Sequence, residues 1–180
     1  MRLTDSRYDR DRLRLTIAYR LIRHEARTHT IRDATGLSDD RIRKLFRDYF
    51  RDRPELQVKR RRGKSPRQMS FFRRSPQHEL EAATLAAMLR QSGLLTRANG
   101  GTRPSLEDVA LLCDVYETFS GVCTGHTITL EHAWYLLQTL SREREFVLDH
   151  CQDCTSLWIR DQLDIVPYNC PACRMGLYAD

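Results

Sequence analysis

Four of the six cysteines in this 180-residue chain stand in two Cys-x-x-Cys pairs, Cys151/Cys154 and Cys170/Cys173, with fifteen residues between them. This is the spacing of a four-cysteine zinc site, in which each pair offers two thiolates to one side of an ion. A short hairpin in the intervening residues would bring the pairs together. Tetrahedral ligation then replaces the hydrophobic core that about 25 residues cannot build alone. Four protein ligands close the site, so the ion is expected to be structural rather than catalytic. Other chemistries use the same residue types. Disulfides suit an oxidising compartment. A redox dithiol needs only one pair, and usually follows a strand and opens a helix. An iron–sulfur cluster stays open on ligand identity alone. His150, next to Cys151, is a further ligand by type, although a surface histidine is the commoner case. Cys113 falls on the apolar side of a helical pattern and reads as core; Cys123 falls in a loop without an assigned role.

The second chemical signal is charge. Residues 1–80 carry 23 Lys and Arg against 11 Asp and Glu, a net of +12, whereas residues 81–180 carry 7 against 13, a net of −6. Such a split points to a polyanion-binding half and a half with another task. All basic residues but Lys44, Lys59 and Lys64 are arginine, whose planar fork bonds phosphate and guanine edges bidentately. The densest run, Lys59, Arg60, Arg61, Arg62, Lys64 and Arg67, is an arm that phosphates attract through counterion release. A charge run is also the ordinary composition of a solvated surface.

The elements that must position these residues are mostly helical. Leu13, Ile17 and Leu21, with Ala18 and Ile22 beside them, predict a first helix from about Arg7 to Arg27. A short helix over Ile31–Thr35 stops at Gly36, which takes the left-handed conformation of a tight helix end. Ser38 caps the next helix, Asp39 to about Phe50, with Asp39 and Asp40 in its first turn. Its apolar side is expected to be Ile42, Leu45, Phe46 and Tyr49. In this order the segment has the form of a helix-turn-helix, except that Arg32 stands where many such motifs carry a small residue. The second helix would enter a major groove, with Arg41, Arg43, Lys44 and Arg47 on bases or phosphates. A plain helical hairpin with solvated charges fits the same pattern.

From Val58 to Pro76 no amphipathic period appears, which predicts a basic linker or extended arm containing Phe71 and Phe72. Three helices follow. Gln77–Ser92 carries Leu80, Thr84, Ala87 and Met88 and is closed by Gly93. Ser105–Ser120 opens on a Ser105/Asp108 capping box and carries Leu106, Val109, Leu112, Cys113 and Tyr116. Thr129 to about Glu145 carries Ala133, Leu136, Leu137 and Leu140. Around the cysteines, Ser156–Arg160 and Ile165–Tyr168 read as strands. The expected fold is mainly α: a helix-turn-helix-like DNA-binding region (1–53), a basic linker (54–76), a helical assembly region (77–147) and a small zinc ribbon-like knuckle (148–180). No apolar run is long enough to span a bilayer, and no apolar segment follows the charged start. A soluble, intracellular protein with no membrane partner is therefore expected.

Taken together, these pieces resemble the FlhC family, the C subunit of the bacterial flagellar master transcription regulator. TGLSDDRIRKLFRDYF is similar to that family's Leu-Ser-x-x-Arg-Leu-x-Lys-Leu-Tyr segment. RGKSPRQMSFF resembles its Gly-x-Ser-Pro stretch followed by phenylalanine, and LEHAWYLLQTL leading into paired knuckles resembles its C-terminal half. The chain departs from the family in the Ser-Pro segment, which lacks a second proline and a Trp-Phe pair, Phe71-Phe72 being followed by Arg-Arg. The resemblance implies a zinc-containing, DNA-binding activator subunit with Cys151, Cys154, Cys170 and Cys173 as ligands. It also implies a cytoplasmic bacterial setting and a small helical FlhD-like partner, in a heterohexamer of four partner and two C-type subunits. That assembly would act with RNA polymerase on promoters of flagellar or related genes.

No grouping of His, Asp and Glu names an acid/base pair, and no phosphate-cradling glycine loop appears, so an enzyme is not expected. A competing reading is a zinc-knuckle RNA-binding protein in which Trp158 or Tyr168 stacks on bases. A nuclease whose fold is held by zinc is a third.

Overall fold

The computed structural model describes residues 2–98, 104–142, 146–164 and 169–176, without the side chains of residues 2–6 and Pro54. The chain is mainly helical, with a two-stranded hairpin and the cysteine cluster near its end. It divides into two compact units: Met1–Ser65 with Arg103–Cys113, and Pro66–Thr102 with Asp114–Asp180.

In the first unit, α1 (Arg2–Arg23) buries Ile17, Ala18, Leu21 and Ile22. It ends four residues before the expected Arg27, because the chain reverses at Glu25, whose φ is +58°. After α2 (Thr28–Thr35), Gly36 takes the left-handed conformation (φ +73°) and its N–H returns to the Arg32 carbonyl. The Thr35 hydroxyl donates to the Ile31 carbonyl at 2.7 Å and accepts from the Leu37 N–H at 3.3 Å, so the turn satisfies its own polar groups. Ser38 then caps α3 (Asp39–Phe46) by accepting from the Arg41 N–H, as its residue type predicts. Arg32 is exposed and reaches Asp33 and Asp39, each at 3.4 Å. The α2–α3 contact is instead built on Ile31, Ala34 and Leu37, all buried, so the arginine does not keep the helices apart.

Beyond Phe46 the helix widens into a π-turn, Arg47–Arg51. A π-turn inserts one residue and rotates everything after it. This corrects the expected apolar face: Tyr49 is 46% exposed, while Phe50 is 4% exposed and packs its ring 4.8 Å from that of Tyr19.

In the second unit, α4 (Pro76–Gln91) packs against α7 (Leu130–Leu140), against β2 (Leu157–Asp161) of the hairpin and against the four-residue α8 (Pro171–Arg174). The expected stripe on α4 is corrected as well. Leu80 is at the surface and Thr84, Ala87 and Met88 are half-buried, whereas Ala82, Ala83, Leu85, Ala86 and Leu89 are inside. Apolar residues occupy nearly every face of this helix, so spacing alone does not choose among them. Gly93 (φ +76°) ends it as expected, leading into α5 (Leu94–Arg97).

α6 (Leu106–Val122) opens on the predicted box: the Asp108 N–H donates to the Ser105 hydroxyl and the Ser105 N–H to the Asp108 carboxylate, both at 3.1 Å. Val109, Leu112, Cys113 and Tyr116 are buried on it. Thr129 caps α7, which buries Ala133, Leu136, Leu137 and Leu140. The end of the expected linker does not run free. Phe72 is buried, and Phe71 lies flat on His132 with ring centroids 3.8 Å apart.

β1 (Phe146–His150) pairs antiparallel with β2, Phe146 opposite Asp161 and His150 opposite Leu157. The hairpin therefore brackets the first cysteine pair instead of filling the space between the pairs. The expected strand Ile165–Tyr168 lies outside the described residues.

Candidate metal centre and candidate nucleic-acid interface

The first knuckle is the turn of the β1–β2 hairpin. The Cys151 N–H donates to the Ser156 carbonyl at 2.9 Å and the Thr155 N–H returns to the Cys151 carbonyl at 3.0 Å, with Thr155 at φ +60°. The second knuckle is the start of α8. Cys170 is its N-cap, and its thiol accepts from the Cys173 N–H at 3.4 Å. The Cys170 N–H in turn points at Cys151 Sγ, 3.3 Å away. Such N–H···S bonds favour thiolate and hold ligands in place.

All four Sγ atoms lie within 4.8 Å of one another. Two short separations run between knuckles: Cys151 to Cys173 at 3.8 Å and Cys154 to Cys170 at 3.4 Å. A disulfide would need about 2.05 Å. A tetrahedron with Zn–S bonds of about 2.3 Å has an edge of about 3.8 Å. The four cysteines are free thiols whose arrangement fits one metal ion such as zinc. Hydrogen bonds from the Ser156 hydroxyl and N–H pull Cys154 down to about 6. Burial raises Cys151, but backbone N–H groups of Cys170, Cys154 and Asp153 outweigh it and hold that thiol below its ordinary value. Burial pushes Cys170 up, and the neighbouring Cys154 thiol does most to push Cys173 up. Four thiolates so close repel one another, so a cation is what lets all four ionise together.

The cluster is roofed by the fold. Trp158, 6% exposed, packs with Ala83 of α4, Ala172 of α8 and the buried thiols. Arg174 pairs with Glu79 of α4, and Arg73 pairs with Asp161 at 3.4 Å and Asp164 at 3.2 Å. Burial removes Trp158 from any role as an exposed stacking platform, and Tyr168 lies outside the described residues. His150 stays at the surface, its Nδ1 donating to the Thr155 carbonyl at 2.8 Å, and is not one of the clustered ligands.

The basic residues separate into three groups. Arg43 is bound to Asp40 at 2.8 Å and Arg47 lies 3.8 Å from Asp48, so part of their charge is answered within α3 and the π-turn. Arg41, Lys44, Arg62 and Lys64 are exposed and carry no ion pair among the described residues. The third group is the arm, which is fastened rather than free. The Lys59 N–H donates to Glu25 Oε1 at 3.1 Å, Arg61 Nε to Glu25 Oε2 at 2.8 Å, and Arg60 to the Thr28 hydroxyl at 3.3 Å. Lys59 and Arg60 thereby join Arg43 around one groove floored by Ile22, Ile42 and Phe46. Arg67 belongs to the second unit and is exposed.

No family model matches the chain, and no curated protein is similar to it. Among the described residues no helix is long and apolar enough to cross a membrane.

Residue spacing did not single out Glu25. The available signal was its isolation: it is the one acidic residue between Asp11 and Asp33, in a stretch rich in arginine.

Proposed function

We propose that this chain is an FlhC-type subunit of a DNA-binding transcription activator, with zinc held by Cys151, Cys154, Cys170 and Cys173 as a structural ion. The observation that carries the reading is the shared groove. Arg43 from the second helix of a helix–turn–helix order and Lys59 and Arg60 from the arm surround it, with the exposed Arg41, Lys44, Arg62 and Lys64 on the same two segments. A helix able to read base edges beside a segment able to track phosphates is the division of labour that duplex recognition needs. The protein acts without catalysing a reaction, in the cytoplasm, together with an FlhD-like helical partner and RNA polymerase at promoters. Burial of Trp158 supports duplex DNA over single-stranded RNA as the ligand.

The test is a titration against a duplex enriched from a random pool and a scrambled duplex, at several salt concentrations. Neutralising Arg60 and Arg62 is expected to weaken binding to both and to flatten the log–log salt slope by about one per lost phosphate contact. Replacing Lys44 or Arg41 is expected to narrow the gap between the two duplexes, by roughly 1–3 kcal/mol where a bidentate base contact is lost. Wild-type discrimination in both sets of variants, or preference for single-stranded RNA over every duplex, would overturn the reading.

A further inference from the structure

α1 ends in a Schellman arrangement. The Ala26 N–H returns to the Leu21 carbonyl at 2.9 Å and the Glu25 N–H to the Ile22 carbonyl at 2.8 Å, with Leu21 and Ala26 both buried. The residue between helix and exit must then be left-handed, a position glycine fills without a Cβ penalty. Gly36 fills that place after α2; here it is Glu25, at φ +58°. A glutamate gains nothing from the helix end itself, because a carboxylate at a helix C-terminus faces the negative end of the dipole. Its side chain is used elsewhere. One oxygen accepts the Lys59 N–H at 3.1 Å, and the other accepts from both Nε and a terminal nitrogen of Arg61, each at 2.8 Å. Two further bonds fasten the same stretch of chain: Arg60 to the Thr28 hydroxyl at 3.3 Å and His29 Nε2 to the Ser65 hydroxyl at 2.7 Å.

We infer that Glu25 is a clasp: it occupies a helix-end position that suits glycine better in order to hold the basic arm against the α1–α2 corner, where Lys59 and Arg60 stand beside Arg43. The consequence for binding rests on the proposed DNA reading. An arm already laid in place does not have to be ordered when a polyanion arrives, so less of the binding energy is spent on ordering it. Glu25 is thus a positioning residue. It lines the same groove as Arg43, Lys59 and Arg60, where its own negative charge opposes a polyanion.

Those two properties give opposite signs in one experiment on the full chain. In Glu25→Gly the helix end is relieved and the arm is released. The variant is expected to melt no lower than wild type, while trypsin cuts after Lys59, Arg60 and Arg62 about five- to tenfold faster, since cleavage follows the population of the open arm. Affinity for duplex is expected to fall about fivefold, although removing a negative charge near a phosphate-binding surface would by itself strengthen binding. The exchanged pair Glu25→Arg with Arg61→Glu restores the ion pair but offers no acceptor to the Lys59 N–H, so protection at Lys59, Arg60 and Arg62 is expected to return in part. Cleavage of Glu25→Gly at the wild-type rate, or tighter duplex binding by it, would overturn the clasp. So would lower thermal stability, which would make Glu25 an ordinary residue of the fold. A wild type that binds no duplex would remove the functional reading instead, and the cleavage rates would then decide the clasp alone.

Discussion

Cys151 Sγ lies 3.8 Å from Cys173 Sγ although they stand 22 positions apart in the chain. One thiol sits where a β-hairpin turns, the other in the first turn of a four-residue helix, and neither element could hold that position unaided. Trp158 and Ala83 close the space behind them. The candidate metal site is therefore also a packing site, and it ties the C-terminal segment to α4.

Purified protein is expected to hold about one zinc per chain, and Cys154→Ser to lose it. Chelation should expose Trp158, read as a red shift of its fluorescence, while the helical signal of the remainder persists. Because the ligands bind as thiolates, affinity falls as the pH is lowered. Recovery of the four cysteines as two disulfides, with no metal, would contradict this.

Ala83 faces the knuckle and Ala87, four residues on, is half-buried. Leucine at position 83 overpacks the joint and is expected to cost about 1–3 kcal/mol, while leucine at 87 stays within about 0.5 kcal/mol. Urea midpoints of the two variants decide it, and equal midpoints would mean that α4 presents a different face.

The π-turn makes a similar distinction between neighbours. Phe50→Ala removes a buried ring packed on Tyr19 and is expected to cost about 3–5 kcal/mol, whereas Tyr49→Ala, at an exposed position, costs under about 1 kcal/mol. Reversal of that order in thermal melts would restore a straight α-helix through Phe50.

Glu81 is buried, and its carboxylate accepts from the Thr127 N–H at 3.0 Å, the Thr127 hydroxyl at 2.8 Å and the Gln77 amide at 2.9 Å. Burial pushes its pKa up, but these bonds outweigh burial and the net shift is below the ordinary 4.5. The unfolded chain therefore takes up the proton more readily than the folded one. The contribution is complete above the ordinary value and is lost as pH falls through the lowered one. Glu81→Gln is expected to cost about 1–3 kcal/mol at neutral pH and to lose less stability than wild type between neutral pH and pH 3. Parallel stability curves for the two proteins would rule the carboxylate out.

What the sequence determined by itself is what a few adjacent residues can settle. Gly36 and Ser38 end one helix and start the next through hydrogen bonds that span three or four residues. The Ser105/Asp108 box and the Thr129 cap do the same, and the two Cys-x-x-Cys pairs state their chemistry in their spacing. Tertiary packing decided the rest. α4 is apolar on nearly every side, so only its neighbours could choose Ala83 over Ala87. A single inserted residue in the π-turn exchanged Tyr49 for Phe50, an exchange no periodicity announces. β1 is half-buried along most of its length and became a strand because β2 lies across the knuckle from it. Glu25 spends its side chain on residues 34 and 36 positions away. Contacts at that distance depend on where the whole chain has already folded, and so are not written in any local pattern.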